Sequence, residues 1–524
     1  MIKTDLKMHL RYTAGDIVAA LSSLFPLESN EVGEVRVLKQ SLDLSDTHSP
    51  FYKLTVAFSL SEEREAGLLK YRNRVFPYSH PEYSAPIAHL DFRPVIVGSG
   101  PAGLFAALVL AEAGARPIVL ERGLDVDGRM KKIKAFNLTG VLDPECNVQF
   151  GEGGAGAYSD GKLKVGSMNT IKMKILSELV AAGAEPSILF SNTGHVGTDK
   201  LVNIIKNVRC KAVAHGAEFV FGARFVAPVY KDSELAAVKY IKEGTEYSLP
   251  TRALILAIGH SARDTVRALY SGGMVLTPKS FGIGVRIEHP REYINRIVYK
   301  HAYGSIEESA SYHLVTHLKS SRSVYSFCMC PGGTVVAATG SVGSVVTNGM
   351  SEHARNAENS NAAILVSVTP GDFGGDALLG MLLQEKIEGR AYSLTKNYRA
   401  PAQSLASLGA RVAKMGEVAP SYPRGTECID INEYMPEYIA PSIIAAMPDF
   451  DAWLPGYNLP DAVITGPETR TTSPVRMERD KSGVAIGKSG IFPAGEGAGY
   501  AGGIVSSAAD GISQAENLIK YYQK

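Results

Sequence analysis

The sequence predicts an α/β protein built around a parallel sheet, with a core domain that is discontinuous along the chain. Three observations lead to this prediction. PVIVGSGPAGLFAALVLAEAGA, which starts at Pro94, reads as an apolar strand, a glycine turn and an apolar helix. The next apolar run, IVLERG, reads as a second strand that ends at Glu121. Far along the chain, IFPAGEGAGYAGGIVSSAADG starts at Ile491 and repeats the order of strand, glycine turn and helix.

Length and local character divide the chain further. At roughly 150 residues per domain, 524 residues predict more than one domain. MIKTDLKMHL, DIVAALSSLF, EVRVLKQSLDL and FYKLTVAFSL give the order β-α-β-β, and a segment containing Pro77, Pro81 and Pro86 follows them. We therefore expect an N-terminal α+β module over 1–72, a linker over 73–93, and a core domain whose two parts, 94–270 and 461–524, flank an insert over 271–460.

The insert is expected to be a mixed α+β unit. FGIGVRIE, SVYSFCM and TVVAATG are rich in β-branched and aromatic residues, which favours strands. EHARNAENSNAAIL (352–365) and GDALLGMLLQEKI (375–387) read as helices.

The composition is that of an ordinary globular protein, 45% hydrophobic and 20% charged. A net charge of +1 supplies no basic field for nucleic acid. The longest apolar stretch is interrupted by Glu112 and falls short of the roughly 18 residues that a membrane span needs. Five cysteines, an odd number, and an N-terminus without an apolar secretory region favour a cytoplasmic chain with no disulfide framework.

The first glycine turn has the pattern G-x-G-x-x-G in the context that this pattern requires. Gly98 suits the tight turn, Gly100 lets a backbone approach a pyrophosphate, and Gly103 allows close packing of helix against strand. The N–H groups at the start of the helix and its dipole favour phosphate. Glu121 lies about 20 residues further on, where an acid accepts hydrogen bonds from ribose hydroxyls. The segment therefore predicts a dinucleotide site.

GSGPAGLFAAL with VLERG, LILAIGHSARD and IFPAGEGAGYAGGIVSSAADG together resemble the FAD-binding domain of glutathione-reductase-type flavoproteins. NVQFGEGGAGAYSDGKL, FGIGVRIEHP, SFCMCPGGTVV, TNGMS and TGPETRTTSPVRM extend the resemblance to a largely uncharacterised group of bacterial FAD-dependent, NAD(FAD)-utilizing dehydrogenases. The resemblance covers roughly residues 90–524. It implies FAD as the cofactor, a Rossmann-like FAD-binding domain split in sequence, and a substrate domain in the insert.

The resemblance also implies which residues hold FAD. In such proteins the first turn holds the pyrophosphate near the adenosine half, and the C-terminal turn supports the ribityl chain and the flavin. The implied cofactor-binding residues are Gly98, Ser99, Gly100, Pro101, Ala102, Gly103, Glu121, Arg122, Arg129, Gly153, Gly154, Ala155, Ser159, Asp160, Lys162, Phe225, Val226, Ala257, Gly259, Gly495, Glu496, Gly502, Gly503 and Ile504.

Residues 151–163, GEGGAGAYSDGKL, contain five glycines, a density that suits either a mobile surface loop or a backbone close to a ligand. The resemblance places this loop, between the second strand and the next helix, over the pyrophosphate and the flavin ring. Ser159, Asp160 and Lys162 could then face the ribityl chain or the flavin edge, and Lys162 could stabilise reduced, anionic flavin.

Four residues are candidates for catalysis, and each also has a structural interpretation. Cys328 and Cys330 form a C-x-C that could exchange electrons with flavin, although a core position is equally natural for such residues. His289, in GVRIEHP with Arg286 and Glu288, could pass a proton or could simply be a packed side chain at a strand end. No partner C-x-C exists for zinc, so no metal site is predicted.

Arg470 is the fourth candidate, in PETRTTSPVRM with Arg476. A guanidinium is suited to a bidentate grip on a carboxylate or phosphate, whereas the alternative is a pair of solvated surface charges. His317 has no local partner in the sequence and is expected to be structural.

These features predict a FAD-dependent oxidoreductase that transfers hydride or electrons between flavin and a small-molecule substrate. Because no second strand–GxGxxG–helix unit is present, we expect no dedicated NAD(P)H domain, although NADH or NADPH could dock transiently as the electron donor. Two alternatives stay open: a flavin-dependent RNA-modification factor, against which the net charge weighs, and a non-catalytic FAD-binding protein.

Overall fold

The computed structural model of the chain describes residues 1–71, 73–163, 166–192, 194–410 and 412–523. Within these ranges every helix is too short or too polar to cross a lipid bilayer.

The N-terminal part folds as the predicted β-α-β-β unit. Its elements are β1 (Ile2–Met8), α1 (Ala14–Leu24), β2 (Val35–Asp43), β3 (Phe51–Phe58), α2 (Glu62–Leu68) and β4 (Phe76–Pro77). The strands form an antiparallel sheet in the order β2-β3-β1-β4, and Ile17 and Leu21 of α1 belong to its core. β4 lies in the segment expected to be a linker, so the sheet extends into the start of that segment.

The next part of the chain begins with strands that alternate with helices and continues with five consecutive strands. Its elements are β5 (Val95–Val97), α3 (Pro101–Glu112), β6 (Ile118–Glu121), α4 (Val126–Thr139), α5 (Thr170–Ala181), α6 (Thr198–Ala214), β7 (Glu218–Phe221), β8 (Ala223–Lys231), β9 (Glu234–Lys242), β10 (Thr245–Pro250), β11 (Leu254–Leu256) and α7 (Arg263–Ser271). The loop was predicted to lie between the second strand and the next helix, but α4 comes between β6 and the glycine-rich loop 151–163, so this prediction was wrong by one helix.

The remaining elements begin with β12 (Leu276–Pro278), β13 (Phe281–Pro290), α8 (Arg291–Tyr299), β14 (Val315–His317), β15 (Ser323–Cys330), β16 (Thr334–Ala337), β17 (Thr347–Met350) and β18 (Asn359–Val368). They continue with α9 (Pro370–Phe373), α10 (Leu379–Thr395), β19 (Ala400–Ser404), β20 (Thr426–Cys428) and α11 (Ile439–Trp453). The chain ends with β21 (Val463–Glu468), β22 (Val475–Met477), β23 (Ile491–Pro493) and α12 (Ile504–Tyr522).

The core domain is a five-stranded parallel sheet in the order β23-β11-β5-β6-β7. Every residue of β5, β6, β11 and β23 is buried, as expected when helices cover both faces of a parallel sheet. α3 is apolar on all sides because α6 and α12 pack against it. β23, from the C-terminal part of the chain, thus joins the same sheet as β5, β6, β7 and β11 from the part before the insert. This pairing confirms the α/β fold with a discontinuous Rossmann-like domain. β8, β9 and β10 form a separate antiparallel sheet.

The insert forms a mostly antiparallel seven-stranded sheet in the order β14-β15-β18-β13-β21-β19-β20. β21 lies in the range expected to return to the core domain, yet it pairs with β13 and β19 in this second sheet. The helical prediction for 352–365 was wrong, because β18 covers much of that range. β18 pairs with both β13 and β15, and this pairing on two sides overrides the local preference of the alanine-rich segment.

Candidate functional site

The first glycine turn is fixed by backbone packing between β5 and α3. Gly98 has a φ of 97°, and a Cβ there would lie 2.3 Å from the Ala257 carbonyl oxygen. A Cβ on Gly103 would lie 1.9 Å from the Gly98 carbonyl oxygen, so only glycine fits either position. α3 begins at Pro101 and its N-cap, Gly100, makes no side-chain cap. The first N–H groups of the helix therefore stay free for a ligand.

Glu121, at the end of β6, ties the turn to the glycine-rich loop. Its Oε2 accepts hydrogen bonds from the Ser99 N–H at 2.9 Å and the Ser99 Oγ at 2.8 Å. Its Oε1 accepts from the N–H groups of Gly123 at 2.9 Å and Gly151 at 3.0 Å. A ribose hydroxyl would have to share these oxygens, since a carboxylate offers about four acceptor positions.

The glycine-rich loop packs directly on the first turn. The Gly153 N–H donates to the Ser99 carbonyl at 2.9 Å. Arg129, which is fully buried, donates to the carbonyl groups of Asn147 at 2.9 Å, Val148 at 2.8 Å and Glu152 at 2.6 Å. Arg129 was predicted as a cofactor contact, but the structure uses it to hold the backbone that leads into the loop.

The turn, the loop and the C-terminal glycines surround one cavity of about 310 Å³. It reaches from the carboxyl ends of the parallel strands to side chains of the seven-stranded sheet. Of the predicted cofactor residues, those on its wall are Gly98, Gly100, Pro101, Ala102, Glu121, Arg122, Gly154, Ala155, Ser159, Asp160, Lys162, Phe225, Ala257, Gly259, Gly495, Glu496, Gly502, Gly503 and Ile504. Ser99, Gly103, Arg129, Gly153 and Val226 are placed behind the wall rather than on it.

The C-terminal helix also points its start at the cavity. α12 has 19 residues, its N-cap Gly503 makes no side-chain cap, and Gly502, Gly503 and Ile504 lie on the cavity wall. Free N–H groups and the positive end of the helix dipole meet at such a terminus. The cavity thus has two helix N-termini, those of α3 and α12, which favour negative charge.

The structure separates the four candidates for catalysis. Cys328 and Arg470 lie on the cavity wall, whereas Cys330 is buried beside Cys328. His289 is in the core, where its Nε2 lies 2.9 Å from the Tyr457 carbonyl oxygen. Burial lowers the pKa of His289 to about 4. The structure therefore corrects the catalytic hypothesis for His289, because the β13 residue faces the apolar core beneath α11 and not the cavity.

Arg470 belongs to a buried network of two guanidinium groups on one carboxylate. Glu388 accepts hydrogen bonds from Arg470 NH2 at 2.8 Å and from Arg263 NH1 and NH2, both at 2.8 Å. Burial opposes ionisation of Glu388, but the two guanidiniums outweigh it and hold the pKa of Glu388 well below its usual range. The trio carries a net charge of +1. Arg470 NH1 is buried and has no partner among the described residues.

The other charged candidates of the insert are not on the cavity wall. Arg286 is fully buried and forms a bidentate ion pair with Glu468, with Nε–Oε2 at 2.6 Å and NH2–Oε1 at 3.0 Å. Glu288 accepts from Ser421 Oγ at 2.5 Å, and burial raises its pKa. His317 is exposed and contacts Ser323, and Arg476 lies over the Tyr500 ring.

The wall residues that sequence reasoning did not predict include His260, Phe327, Asn348 and Glu468. The Nδ1 atom of His260 lies 3.0 Å from Glu496 Oε1. Its Nε2 is buried without a partner in the described part of the chain. The position of His260 shortly after β11 could have indicated its role, because ligands bind outside the carboxyl ends of parallel strands.

The cavity has the features that a dinucleotide requires. A Cβ on Gly100 would come no closer than 3.7 Å to its nearest neighbour, Gly154 Cα, so the backbone of the turn is open toward the cavity. Buried polar atoms normally have a hydrogen-bond partner. Arg470 Nη1 and His260 Nε2 are buried and have none among the described residues, so a polar ligand in the cavity could supply one. The residues present therefore fit a long, anionic ligand with polar ends.

Two family descriptions match the chain. "FAD-dependent protein, C-terminal domain-like" matches residues 280–471, and "FAD binding domain" matches residues 91–131. An uncharacterized protein of Clostridium beijerinckii is 45% identical over 436 residues, which cover 82% of this chain and 81% of that protein. The chain belongs to this family of FAD-dependent proteins. FAD is the cofactor of the protein.

This FAD-dependent protein also has weak likenesses among solved structures. A flavoprotein/dehydrogenase from Cytophaga hutchinsonii is 12% identical, with 82% of this chain and 78% of that chain covered and a TM-score of 0.36. A geranylgeranyl bacteriochlorophyll reductase-like protein from Thermoplasma acidophilum is 11% identical, with 82% and 79% covered and a TM-score of 0.36. Because these identities and TM-scores are low, the fold assignment of the FAD-dependent protein is based on its own strand order and not on these structures.

Proposed function

We propose that this chain is a FAD-dependent oxidoreductase that transfers hydride or electrons between the flavin and a small substrate. The observation that carries the proposal is the single cavity shared by two structural units. One end is made by the glycine turns of the parallel sheet, and the other is made by Cys328, Asn348, Glu468 and Arg470 from the seven-stranded sheet and its flanks. A cofactor held by the first unit would present its reactive end to the second.

The residues on the wall divide into three groups by position. Glu121, Arg122 and Phe225 lie at the ends of β6 and β8 and would hold the adenosine half. The N–H groups at the starts of α3 and α12 would bind the pyrophosphate and the pyrimidine edge of the flavin. Asp160 and Lys162 on the glycine-rich loop would fix the ribityl chain and the flavin, which supplies the redox chemistry.

Positive charge around the substrate end favours an electron-rich flavin. Arg263, Arg470 and Glu388 together carry one net positive charge, and Arg470 is the member of this group that lies on the cavity wall. Lys162 is a second cation on the same wall. A cation near the flavin stabilises its reduced, anionic form. These groups would thereby make the bound flavin a better acceptor of two electrons.

The finer assignments belong to the same proposal. We place the protein among the glutathione-reductase-type flavoproteins, with an N-terminal module at 1–72, a linker at 73–93, a core domain at 94–270 with 461–524, and an insert at 271–460 whose sheet also takes in β21. The electron donor would be NADH or NADPH docking transiently at the flavin, or the substrate itself.

Spectroscopy of the purified protein tests the proposal. Protein saturated with FAD should show flavin absorbance, and anaerobic addition of NADH, NADPH or a reducing substrate from a metabolite screen should bleach it. Bleaching by one donor and recovery with an acceptor would support an oxidoreductase. Bound FAD that no donor or acceptor changes would favour a non-catalytic FAD-binding protein, and co-purifying RNA would favour the RNA-modification alternative.

A further inference from the structure

The C-x-C sequence of β15 lies at an irregularity of the seven-stranded sheet. Phe327 pairs with Ala363, whereas Cys330 pairs with Asn361, so β15 carries one residue more than β18 between these pairs. Cys328 has a φ of 42°, which non-glycine residues rarely adopt. Strained residues of this kind are concentrated at functional sites.

This extra residue makes a β-bulge, which affects the distance between the two thiols. In a regular strand the Cα atoms of residues i and i+2 lie roughly 6.6–6.8 Å apart, the upper end of the range that a disulfide spans. A bulge bends the strand and shortens this separation. Cys330 Sγ donates to the Cys328 carbonyl oxygen at 3.2 Å, so the Cys330 side chain folds back toward Cys328. The local geometry thus suits a bond between the two sulfurs.

The charges around the pair make the two thiols unequal. Arg286 NH1 donates to the Cys328 carbonyl at 2.9 Å and lies 3.9 Å from Cys330 Sγ. A side-chain hydrogen bond between the Cys328 and Cys330 thiols lowers the pKa of Cys328, and the charges of Arg286 and Lys162 act in the same direction. The same bond and burial raise the pKa of Cys330. One sulfur is therefore prepared as a thiolate and the other as a thiol.

The positions of the two sulfurs match this division. Cys328 is partly exposed and lies on the wall of the FAD cavity with Lys162, whereas Cys330 is buried behind it. Phe327, the preceding residue, is 41% exposed and lies on the same wall, so the cavity gives access to Cys328. A thiol outside the protein could therefore exchange with Cys328.

We propose that Cys328 and Cys330 form a redox pair that passes two electrons to the bound flavin and makes thiols the substrate class of this protein. The inference rests on the proposed function. The Cys328 thiolate and the Cys330 thiol form one S–S bond and release two electrons and one proton, all of which the oxidised flavin accepts. An external dithiol then reduces the Cys328–Cys330 disulfide by exchange at Cys328, is itself released as a disulfide, and returns the pair to the thiolate and thiol with one proton lost to solvent.

Counting electrons in an anaerobic reductive titration tests the pair. Protein saturated with FAD and oxidised with diamide should take up four electrons per flavin, two by the flavin and two by the disulfide. Cys328→Ser and Cys330→Ser should each take up two, and Cys428→Ser, which changes an exposed cysteine outside the cavity, should still take up four. Uptake of two electrons by the unchanged protein would overturn the proposal. Failure to bind FAD would instead count against the proposed function.

Mapping of the thiols gives a result that does not depend on activity or on the variants. After oxidation, unfolding and alkylation, the peptide that contains Cys328 and Cys330 should be lighter by two hydrogen atoms than the dithiol form and unalkylated, and reduction should reverse this. Dithiothreitol should bleach the flavin of the unchanged protein and of Cys428→Ser but not that of Cys328→Ser. Alkylation of both cysteines after oxidation, or equal bleaching in all three proteins, would rule out the pair.

Discussion

Asp160 and Arg355 form a bidentate ion pair, with Arg355 NH2 2.5 Å from Asp160 Oδ2 and Arg355 Nε 3.1 Å from Asp160 Oδ1. Asp160 is fully buried and lies on the glycine-rich loop, whereas Arg355 lies between β17 and β18 of the insert. The pair therefore links the loop on the cofactor cavity to the unit that carries Cys328. The ion pair restrains the loop, whose glycines would otherwise leave the backbone conformationally free.

Asp160→Asn should weaken both folding and FAD binding. The change leaves the Arg355 charge unpaired in a buried site, which costs about 3 kcal/mol or more. The thermal midpoint should fall, and the dissociation constant for FAD, measured by flavin fluorescence, should rise. Asp127→Asn breaks an exposed pair with Lys206, which solvent screens, and should leave the thermal midpoint almost unchanged. Equal effects of the two changes would show that the Asp160–Arg355 pair has no special role.

Gly100→Val and Gly103→Ala should separate binding from folding. A Cβ on Gly100 would lie 3.7 Å from Gly154 Cα and 4.0 Å from Gly154 N, which are ordinary contact distances, so the protein should fold while the side chain blocks the cofactor. A methyl group on Gly103 would clash with the Gly98 carbonyl and should destabilise the protein by about 1–3 kcal/mol or more. Circular dichroism and FAD titration measure the two effects. FAD binding by Gly100→Val at unchanged affinity would contradict this site.

Arg470→Met should make the bound flavin harder to reduce. The variant keeps the Arg263–Glu388 pair and so leaves no unpaired carboxylate, but it removes the net positive charge from the cavity wall. We expect the midpoint potential of bound FAD to fall by about 30 mV, which corresponds to about 1.4 kcal/mol for a two-electron couple. Arg476→Met is the control, because Arg476 is not on the cavity wall and lies over the Tyr500 ring. Equal potentials in the two variants would mean that Arg470 does not act on the flavin.

His289 should make stability depend on pH between about 6.5 and 4. Burial lowers the pKa of folded His289 to about 4, whereas the unfolded value is about 6.5. As pH falls through this window the unfolded chain binds the proton first, so stability that is complete above about pH 6.5 is lost. The loss should approach about 1.4 kcal/mol per pH unit.

Thermal midpoints measured across this window test the effect of His289. His289→Gln keeps a donor for the Tyr457 carbonyl but does not titrate, so its midpoint should change less with pH than that of the unchanged protein. His195, whose pKa burial also lowers to about 4, should leave part of the dependence in place. His317→Gln, at an exposed site, should leave the slope unchanged. An unchanged slope in His289→Gln would contradict the assignment.

The parts of the fold that the sequence predicted well have strong local signals. β5, the turn at Gly98 and α3 follow directly from an apolar run, a glycine pattern and an apolar helix, and the C-terminal β23 and α12 follow from a similar pattern. The prediction failed where pairing on two sides decides the structure. β18 is a strand because β13 and β15 flank it, and its own residues do not show this.

For the site, the sequence by itself determined the chemistry of the glycine turns, since G-x-G-x-x-G and Glu121 carry their meaning in local spacing. Only the tertiary structure decided which side chains from the insert meet those turns. Arg129 and His289 are not on the cavity wall, whereas Cys328, Arg470 and His260 are. Asp160 pairs with Arg355. These placements depend on contacts between residues that are not neighbours in the chain, from about 20 positions apart for Arg129 to 195 for Asp160 and Arg355, and such contacts leave no periodicity in the sequence.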